Sequence, residues 1–164
     1  MTSDTSSAST QPTTPRVFGS VAELTAAIGE DLGSGDWLEI TQERVNAFAD
    51  ATGDHQWIHV DPVRAADGPF GAPIAHGYLT LSLLPVLAGQ IFTVTGPKLV
   101  INYGLNKVRF PNPVVVGKRI RANAVITEVT ETKAGVNVVV SNTVEIEGEA
   151  KPACVAENVR VLVF

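Results

Sequence analysis

The feature that most constrains the fold of this chain is an uncharged run over residues 77–97. Its length approaches the roughly 20 apolar residues that a membrane-spanning helix needs. The run nevertheless contains Pro85, Gly89 and several Ser, Thr and Gln residues, and no basic flank borders only one side of it. A buried helix is therefore favoured over a membrane span. Because such a helix is apolar on nearly every face, other protein must surround it.

The surrounding layer is predicted by four long, Val-rich segments with partial alternation, over residues 99–116, 119–130, 136–147 and 150–164. Short links rich in Gly and Lys separate them, which favours a meander of antiparallel neighbours. An apolar helix followed by such strands predicts an α+β domain in which a curved sheet rolls around the helix. Upstream, we expect short helices over 21–28 and 41–51 and a strand over 36–40, covering an open end of the sheet or carrying a site.

The remaining composition predicts one domain and a reducing environment. A chain of 164 residues can bury one core, and we place this domain at residues 16–164. Residues 1–15 are mostly Ser, Thr, Pro and Gln, without the basic and apolar regions of a secretory signal, so a disordered tail is expected. Cys154 has no second cysteine to pair with and lies among Ala and Val, which predicts a buried, inert thiol and a cytoplasmic location.

Several function classes are disfavoured by charge and motif content. The net charge of −5 argues against a general nucleic-acid binder. The sequence contains no glycine-rich phosphate loop, no paired metal-ligand motif and no internal repeat. The chemistry of the chain must therefore come from isolated polar residues.

Asp54 and His59 are the strongest candidates for such chemistry, since they place a carboxylate and an imidazole five residues apart. Gly53 and Asp61-Pro62 bracket the segment, which predicts an extended or turn-like run rather than another helix. On an extended run the two side chains lie on opposite faces, so we infer a bend between them. Either residue alone suits a structural role, as a turn or capping aspartate or a buried histidine, but together they can move protons. His55 is expected to be a solvent-facing bystander.

Asp54 and His59, followed by Pro73-Ile74-Ala75-His76-Gly77, resemble the MaoC-like dehydratases, the (R)-specific enoyl-CoA hydratases of the hot-dog superfamily. The resemblance covers about residues 37–164, and the family motif is an Asp, four residues, then a His, with a His-Gly pair opening the central helix. It implies reversible hydration of a trans-2-enoyl thioester of coenzyme A or acyl carrier protein to the (R)-3-hydroxyacyl form. It also implies that no cofactor is needed and that the enzyme is a homodimer with acyl pockets near the subunit interface.

Two positions depart from the family pattern. Many members carry Asn-Pro where this chain has Gln56-Trp57, so the amide of Gln56 is a candidate to replace the Asn, and the bend must form without proline. Some members have a serine nine residues beyond the motif His, where this chain has Pro85, with Ser82 one helical turn earlier. The role of that serine is therefore not transferred to this chain.

Hydration requires a base for the water, an acid for the α-carbon and donors for the enolate-like oxygen. We assign His59 as the base, with Asp54 sharing the water and acting as the acid, which requires a partly desolvated carboxyl that stays protonated. The two roles are interchangeable at this stage. The amide of Gly77, at a helix start, is the expected oxyanion donor, and His76 is expected to orient the loop before it. A metal site built from the histidines and aspartates is disfavoured, because His55 and His59 lack the helical context that would put an i, i+4 pair on one side of an ion.

A basic stretch suggests how a phosphate-bearing carrier is bound. Residues 98–121 contain six Lys or Arg and no acidic residue, which suits the phosphates of coenzyme A, although a solvated strand face explains them equally well. Lys107 and Arg109 share a strand face and are the first candidates.

A thioesterase is a second functional hypothesis, disfavoured because residues 77–97 lack the carboxylate that such enzymes often carry on the central helix. A non-catalytic acyl-thioester binding protein is a third.

Overall fold

The structure is a computed structural model, and it describes residues 14–164. The predicted tail therefore lies outside the described residues, apart from Thr14 and Pro15. The helices are α1 (Val21–Ala26), α2 (Gln42–Thr52), α3 (Trp57–Val60), α4 (Pro62–Ala66), α5 (Gly77–Ser82) and α6 (Leu84–Gly89). The strands are β1 (Arg16–Phe18), β2 (Asp31–Ser34), β3 (Leu38–Glu39), β4 (Phe92–Val94), β5 (Leu99–Arg109), β6 (Arg119–Thr132), β7 (Gly135–Ile146) and β8 (Cys154–Val163).

The apolar run forms two short helices in place of a single helix reaching residue 97. Helices α5 and α6 meet at Leu83, which keeps right-handed helical dihedral angles, and α6 ends at Gly89. Pro85 explains the division, because it has no N–H to donate to the carbonyl four residues earlier. The chain then turns into β4. Among the described residues, no helix has the length and apolarity needed to cross a membrane.

The main sheet is antiparallel and has the strand order β2-β6-β7-β8-β5, with β3 also paired to β6. The predicted meander is confirmed for β6, β7 and β8. The prediction that β5 neighbours β6 is wrong, because β5 pairs with β8 and forms an edge of the sheet. Strand β5 also stops at Arg109 rather than continuing to residue 116, since Pro111 and Pro113 follow and cannot donate to a strand ladder.

The core lies between the inner face of this sheet and the central helices α5 and α6. Alternate residues of β6 point inward and are buried, as the period of a strand requires. The largest fully buried side chains include Leu24, Ile40, Val45, Leu87, Ile120, Ile126, Val140 and Ile146. This arrangement confirms the α+β prediction of a curved antiparallel sheet packed around a central helical segment.

The N-terminal elements and the cysteine also follow the expectations. The helices expected over 21–28 and 41–51 appear as α1 and α2, and β3 falls within the predicted strand over 36–40. Strand β1 pairs in parallel with β4 in a separate two-stranded sheet that the sequence did not suggest. Cys154 is buried, and its burial raises the pKa of the thiol to about 11, so the group is a protonated, inert thiol.

We expect Leu87→Ala to lower the free energy of unfolding by about 2–5 kcal/mol, because it opens a cavity where α6 packs against the sheet. Leu87 is 0% exposed. Urea denaturation of both proteins measures the difference. Val63→Ala on α4 is the control, since Val63 is 83% exposed and its truncation should change stability by no more than about 0.5 kcal/mol. Equal effects of the two substitutions would contradict this core assignment.

Candidate active site

The segment carrying Asp54 begins where α2 ends. Gly53 adopts a left-handed conformation (φ +79°), which a side chain would disfavour, and its N–H donates to the Ala49 carbonyl at 2.8 Å. Asp54 follows, and its Oδ1 accepts a 3.4 Å hydrogen bond from the N–H of Gln56. An aspartate that accepts from the backbone two residues ahead favours a local turn. The inferred bend between Asp54 and His59 is therefore confirmed, and it forms without proline.

The prediction of a non-helical run was wrong for the residues that carry His59. Trp57 to Val60 form one helical turn, α3, and α4 follows it directly. Asp61 caps α4 by accepting from the Arg64 N–H at 3.0 Å, and Pro62 occupies the first turn. An Asp-Pro pair is a known start signal for a helix, because proline's missing N–H has no partner there anyway. From the sequence alone, this pair is expected only to end the segment.

His59 is buried, with 6% of its surface exposed. Its Nδ1 donates a 2.7 Å hydrogen bond to the Ile74 carbonyl, since a carbonyl can only accept. The neutral ring therefore keeps its lone pair on Nε2. Burial lowers the pKa of His59, and nearby His76 lowers it further, against smaller opposing effects of the Ile74 hydrogen bond and the Asp54 charge. The imidazole is thus held neutral at neutral pH with a fixed acceptor nitrogen.

His76 ties the Asp54 segment to the start of the central helices. It is 3% exposed, and its Nε2 donates to the Asp54 carbonyl at 2.9 Å. Its ring stacks on that of His59, with centroids 3.8 Å apart and planes 25° apart, and the Phe48 ring lies 4.9 Å away. Its Nδ1 is buried without a hydrogen-bond partner among the described residues. His76 thus contacts both residues of the predicted acid–base pair.

Asp54 completes the cluster at its solvent side. One carboxylate oxygen of Asp54 and one ring nitrogen each of His59 and His76 lie within 4.8 Å of one another. The structure therefore brings Asp54 and His59 together, as the acid–base hypothesis requires. The expected desolvation of the carboxyl is absent from the single chain, because Asp54 is exposed. Any desolvation must come from bound substrate or from a second subunit.

The three side chains are also the residues of this region that could hold a metal ion. Imidazole binds a metal along the lone pair in the plane of its ring, and zinc requires its ligands to converge tetrahedrally. The rings of His59 and His76 stack, with planes only 25° apart, and such a face-to-face arrangement is unfavourable for directing two in-plane lone pairs at one ion. His55 is exposed and pairs with Asp50 at 2.8 Å, as expected of a bystander, and that contact raises its pKa. The arrangement fits proton transfer better than metal binding.

A pocket of about 260 Å³ opens beside His59. Gly77 lines it at the first position of α5, where an N–H has no acceptor within the helix. A Cβ at Gly77 would lie 3.0 Å from the ring of Phe110, so a side chain there would require the ring to shift by a few tenths of an ångström. Thr80 and Phe110 also line the pocket and were missed from the sequence, although Thr80 follows Gly77 by one helical turn. Gln56 is exposed at the start of α3, and its side chain makes no capping hydrogen bond there.

The basic stretch does not form one positive surface. Three of its residues on or next to β6 pair with glutamates on or just after β7: Lys118 with Glu149, Arg119 with Glu147, and Arg121 with Glu145. The linear sequence hid these acids, because antiparallel pairing brings residues about 25 positions apart side by side. Lys107 and Arg109 are exposed on β5, where Arg109 directly precedes Phe110 of the pocket. Lys98 lies just before β5.

Comparison with known proteins gives a consistent assignment. The MaoC like domain family matches residues 23–148. The chain is 64% identical over 145 residues to 3-hydroxyacyl-thioester dehydratase Z of Mycobacterium tuberculosis, covering 88% of this chain and 96% of that protein. It superposes on the (R)-hydratase of Aeromonas caviae involved in PHA biosynthesis with a TM-score of 0.68 and 29% identity, covering 82% of this chain and 96% of the other. This chain therefore belongs to the MaoC-like dehydratase family, and its fold is the hot-dog fold.

Proposed function

We propose that this protein is an (R)-specific enoyl-CoA hydratase that reversibly adds water to trans-2-enoyl-CoA. The observation that carries the proposal is the position of His59, which lies in one polar cluster with Asp54, with polar atoms within 4.8 Å of one another, and lines the same pocket as Gly77. Two relatives support the chemistry: one is named a 3-hydroxyacyl-thioester dehydratase and the other an (R)-hydratase. The reaction needs acid–base groups and an oxyanion donor, all of which the chain itself supplies, so no cofactor is proposed.

His59 acts as the base. Its Nδ1–H is committed to the Ile74 carbonyl, so Nε2 is the nitrogen that accepts a proton from water. The lowered pKa of His59 keeps this nitrogen unprotonated near neutral pH. As the water loses its proton to Nε2, its oxygen bonds to C3 of the enoyl group. These two properties favour His59 over Asp54 for this role, which the sequence left open.

Asp54 and Gly77 complete the addition. When the C3–O bond forms, the electron pair of the double bond moves toward the thioester oxygen, and the Gly77 N–H stabilises the negative charge there. Protonated Asp54 then gives its proton to C2, and the proton on His59 returns to Asp54 through solvent, which restores the starting state. Bound thioester covers the exposed Asp54 carboxyl and provides the desolvation that the single chain lacks. Dehydration follows the same steps in reverse.

The carrier end of the substrate is assigned to the β5 side of the pocket. Lys107 and Arg109 are exposed there next to Phe110, whereas the three basic residues on or next to β6 are neutralised by glutamates. Phosphates of coenzyme A, or of a carrier-protein arm, suit these cations. Gln56 remains a candidate for a substrate contact from the start of α3.

Helices α5 and α6 carry no carboxylate, which continues to disfavour a thioesterase.

A homodimer is proposed through β5. Within residues 14–164 this strand has only β8 as a neighbour, so its other edge presents backbone groups that no described strand pairs. Its side chains are exposed on both faces, and large apolar ones lie in a row: Leu99, Val100, Ile101, Tyr103 and Leu105. Tyr78 of α5 and Phe110 continue the apolar surface toward the pocket. A second copy pairing along β5 would cover this surface and place subunit contacts beside the active site.

We expect Asp54→Asn and His59→Gln each to lower kcat for hydration of crotonyl-CoA by about 10²–10⁴-fold, the usual contribution of a general acid or base. Loss of enoyl absorbance measures hydration, and a parallel thiol-release assay measures hydrolysis. His55→Gln is the matched control and should retain activity, because His55 is exposed and paired with Asp50. Thiol release would indicate a thioesterase, whereas binding without turnover in the unsubstituted protein would indicate a binding protein.

The pH profile of kcat/KM should show an acidic limb below 6.5, the ordinary pKa of histidine. The pKa of His59 is lowered mainly by burial, so the base stays unprotonated, and activity persists, until the pH falls through that lowered value. Initial rates of crotonyl-CoA hydration between pH 5 and 8 measure the limb. A limb at or above 6.5 would rule out His59 as the base of the free enzyme.

Tyr103→Glu should convert the protein to a monomer, because it places a charge in the middle of the proposed β5 interface. Tyr103 is 74% exposed in the single chain. Light scattering coupled to size-exclusion chromatography measures the mass of both proteins. Val63→Glu on α4 is the control, an exposed apolar residue away from β5, and should leave the mass unchanged. A monomeric starting protein, or a dimer insensitive to Tyr103→Glu, would refute this interface.

A further inference from the structure

A second cavity, of about 360 Å³, lies between the central helices and the edge strand β5. Apolar side chains such as Leu84 and Leu105 form part of its wall, and four polar side chains line the rest: Ser82, Asn102, Asn158 and Arg160. The acid–base chemistry described above uses none of these polar groups. A largely apolar cavity with a few polar groups converging on it is the usual form of a small-molecule site.

Arg160 is the unusual member of this lining. It lies on β8 on the same face as Asn158 and directly opposite Asn102 of β5. Its guanidinium lies 5.4 Å from the centroid of the Phe92 ring. Burial lowers the pKa of Arg160, and within residues 14–164 no carboxylate lies within ion-pairing distance of it. A half-buried cation without a counter-ion is destabilising unless something else compensates its charge.

Two buried asparagines hold the polar end of the cavity in place. Asn142 Nδ2 donates to Asn158 Oδ1 at 2.8 Å and to the Val140 carbonyl at 3.1 Å. In the alternative orientation of the Asn158 amide the bond from Asn142 Nδ2 is given up; the Asn158 oxygen then accepts from Arg160 Nε at 3.2 Å, and its nitrogen donates to the Val140 carbonyl at 3.3 Å. A guanidinium has five N–H donors, and one amide oxygen can accept hydrogen bonds from only some of them. Arg160 therefore retains donors for a group inside the cavity.

The cavity and the catalytic pocket lie along the same pair of elements. Gly77 lines the catalytic pocket and Pro85 lines the second cavity, so eight residues along α5 and α6 separate them, a rise of about 12 Å. On β5 and just after it, Leu105 lines the second cavity and Phe110 the catalytic pocket. An acyl chain whose thioester is held at Gly77 would follow the space between helix and strand to reach Arg160. A crotonyl group is too short to reach it.

We propose that the second cavity binds the far end of a medium-length acyl chain that carries a terminal carboxylate. A carboxylate can accept two parallel hydrogen bonds from the planar guanidinium of Arg160, and it supplies the missing negative charge. The amide of Asn102 provides a further donor, and the apolar wall accommodates the methylene groups. This inference rests on the proposed hydratase activity and deepens it by naming the substrate class as ω-carboxyacyl thioesters.

The test compares three substrates on the full-length protein: crotonyl-CoA, a medium-chain trans-2-enoyl-CoA with a terminal carboxylate, and the methyl ester of that same compound. We expect kcat/KM for the carboxylate to exceed that for the ester by at least about tenfold, since charge-assisted hydrogen bonds are about twice as strong as neutral ones. Equal values for the two, or a preference for the ester, would overturn the inference. Absence of hydration on all three substrates would instead refute the proposed function.

The variant Arg160→Met tests whether the preference for the carboxylate substrate arises in the second cavity. Methionine keeps much of the side-chain volume and removes the charge, so the carboxylate-to-ester ratio of kcat/KM should fall to about one. Arg44→Met is the matched control, because Arg44 is exposed on α2, and it should keep the ratio of the unsubstituted protein. A ratio that survives Arg160→Met would overturn the assignment. If that variant does not fold, the substrate comparison on the unsubstituted protein decides the inference alone.

Discussion

Two hydrogen bonds between the Asp54–His59 segment and the start of the central helices determine the geometry of the whole site. His59 donates from Nδ1 to the Ile74 carbonyl, and His76 donates from Nε2 to the Asp54 carbonyl. Each bond spans 15 or more residues of sequence, and each fixes one histidine tautomer. Together they hold the Nε2 of His59 as an acceptor beside the Asp54 carboxylate and near the Gly77 amide. A backbone hydrogen bond from the Ile74 N–H to the Ile58 carbonyl at 3.0 Å joins the same two segments and supports this arrangement.

The fold supplies the rigid support for these bonds. The inner face of the antiparallel sheet packs against α5 and α6, so the start of α5 is fixed relative to the core. Beside the pocket, the apolar side chains of β5 and Tyr78 are exposed and no other element packs over them among the described residues. Pro85 divides the helical segment at the level of the second cavity. The catalytic pocket is thus built from residues of a rigid core, while its surroundings include surfaces suited to a partner subunit and to a longer substrate.

Much of this architecture was predictable from local patterns, and the errors have physical causes. The Val-rich alternation predicted β6, β7 and β8, because strand period and short turns are encoded locally. The pairing partner of β5 is not encoded in the local sequence. Whether β5 pairs with β8 or with β6 depends on the path that residues 110–118 take between the end of β5 and the start of β6. The Asp54 and His59 pair was found by spacing. The contacts of Arg119 and Arg121 with glutamates, and the isolation of Arg160, required the folded register, which brings distant residues side by side.

The most direct test of this active-site geometry is an experimental structure of the protein with butyryl-CoA, a saturated thioester that cannot be hydrated. We expect the thioester oxygen within hydrogen-bonding distance of the Gly77 N–H, and a water molecule between the Asp54 carboxyl and His59 Nε2, next to C3 of the acyl chain. A thioester bound elsewhere, or a His59 ring turned so that Nε2 contacts the Ile74 carbonyl, would contradict it.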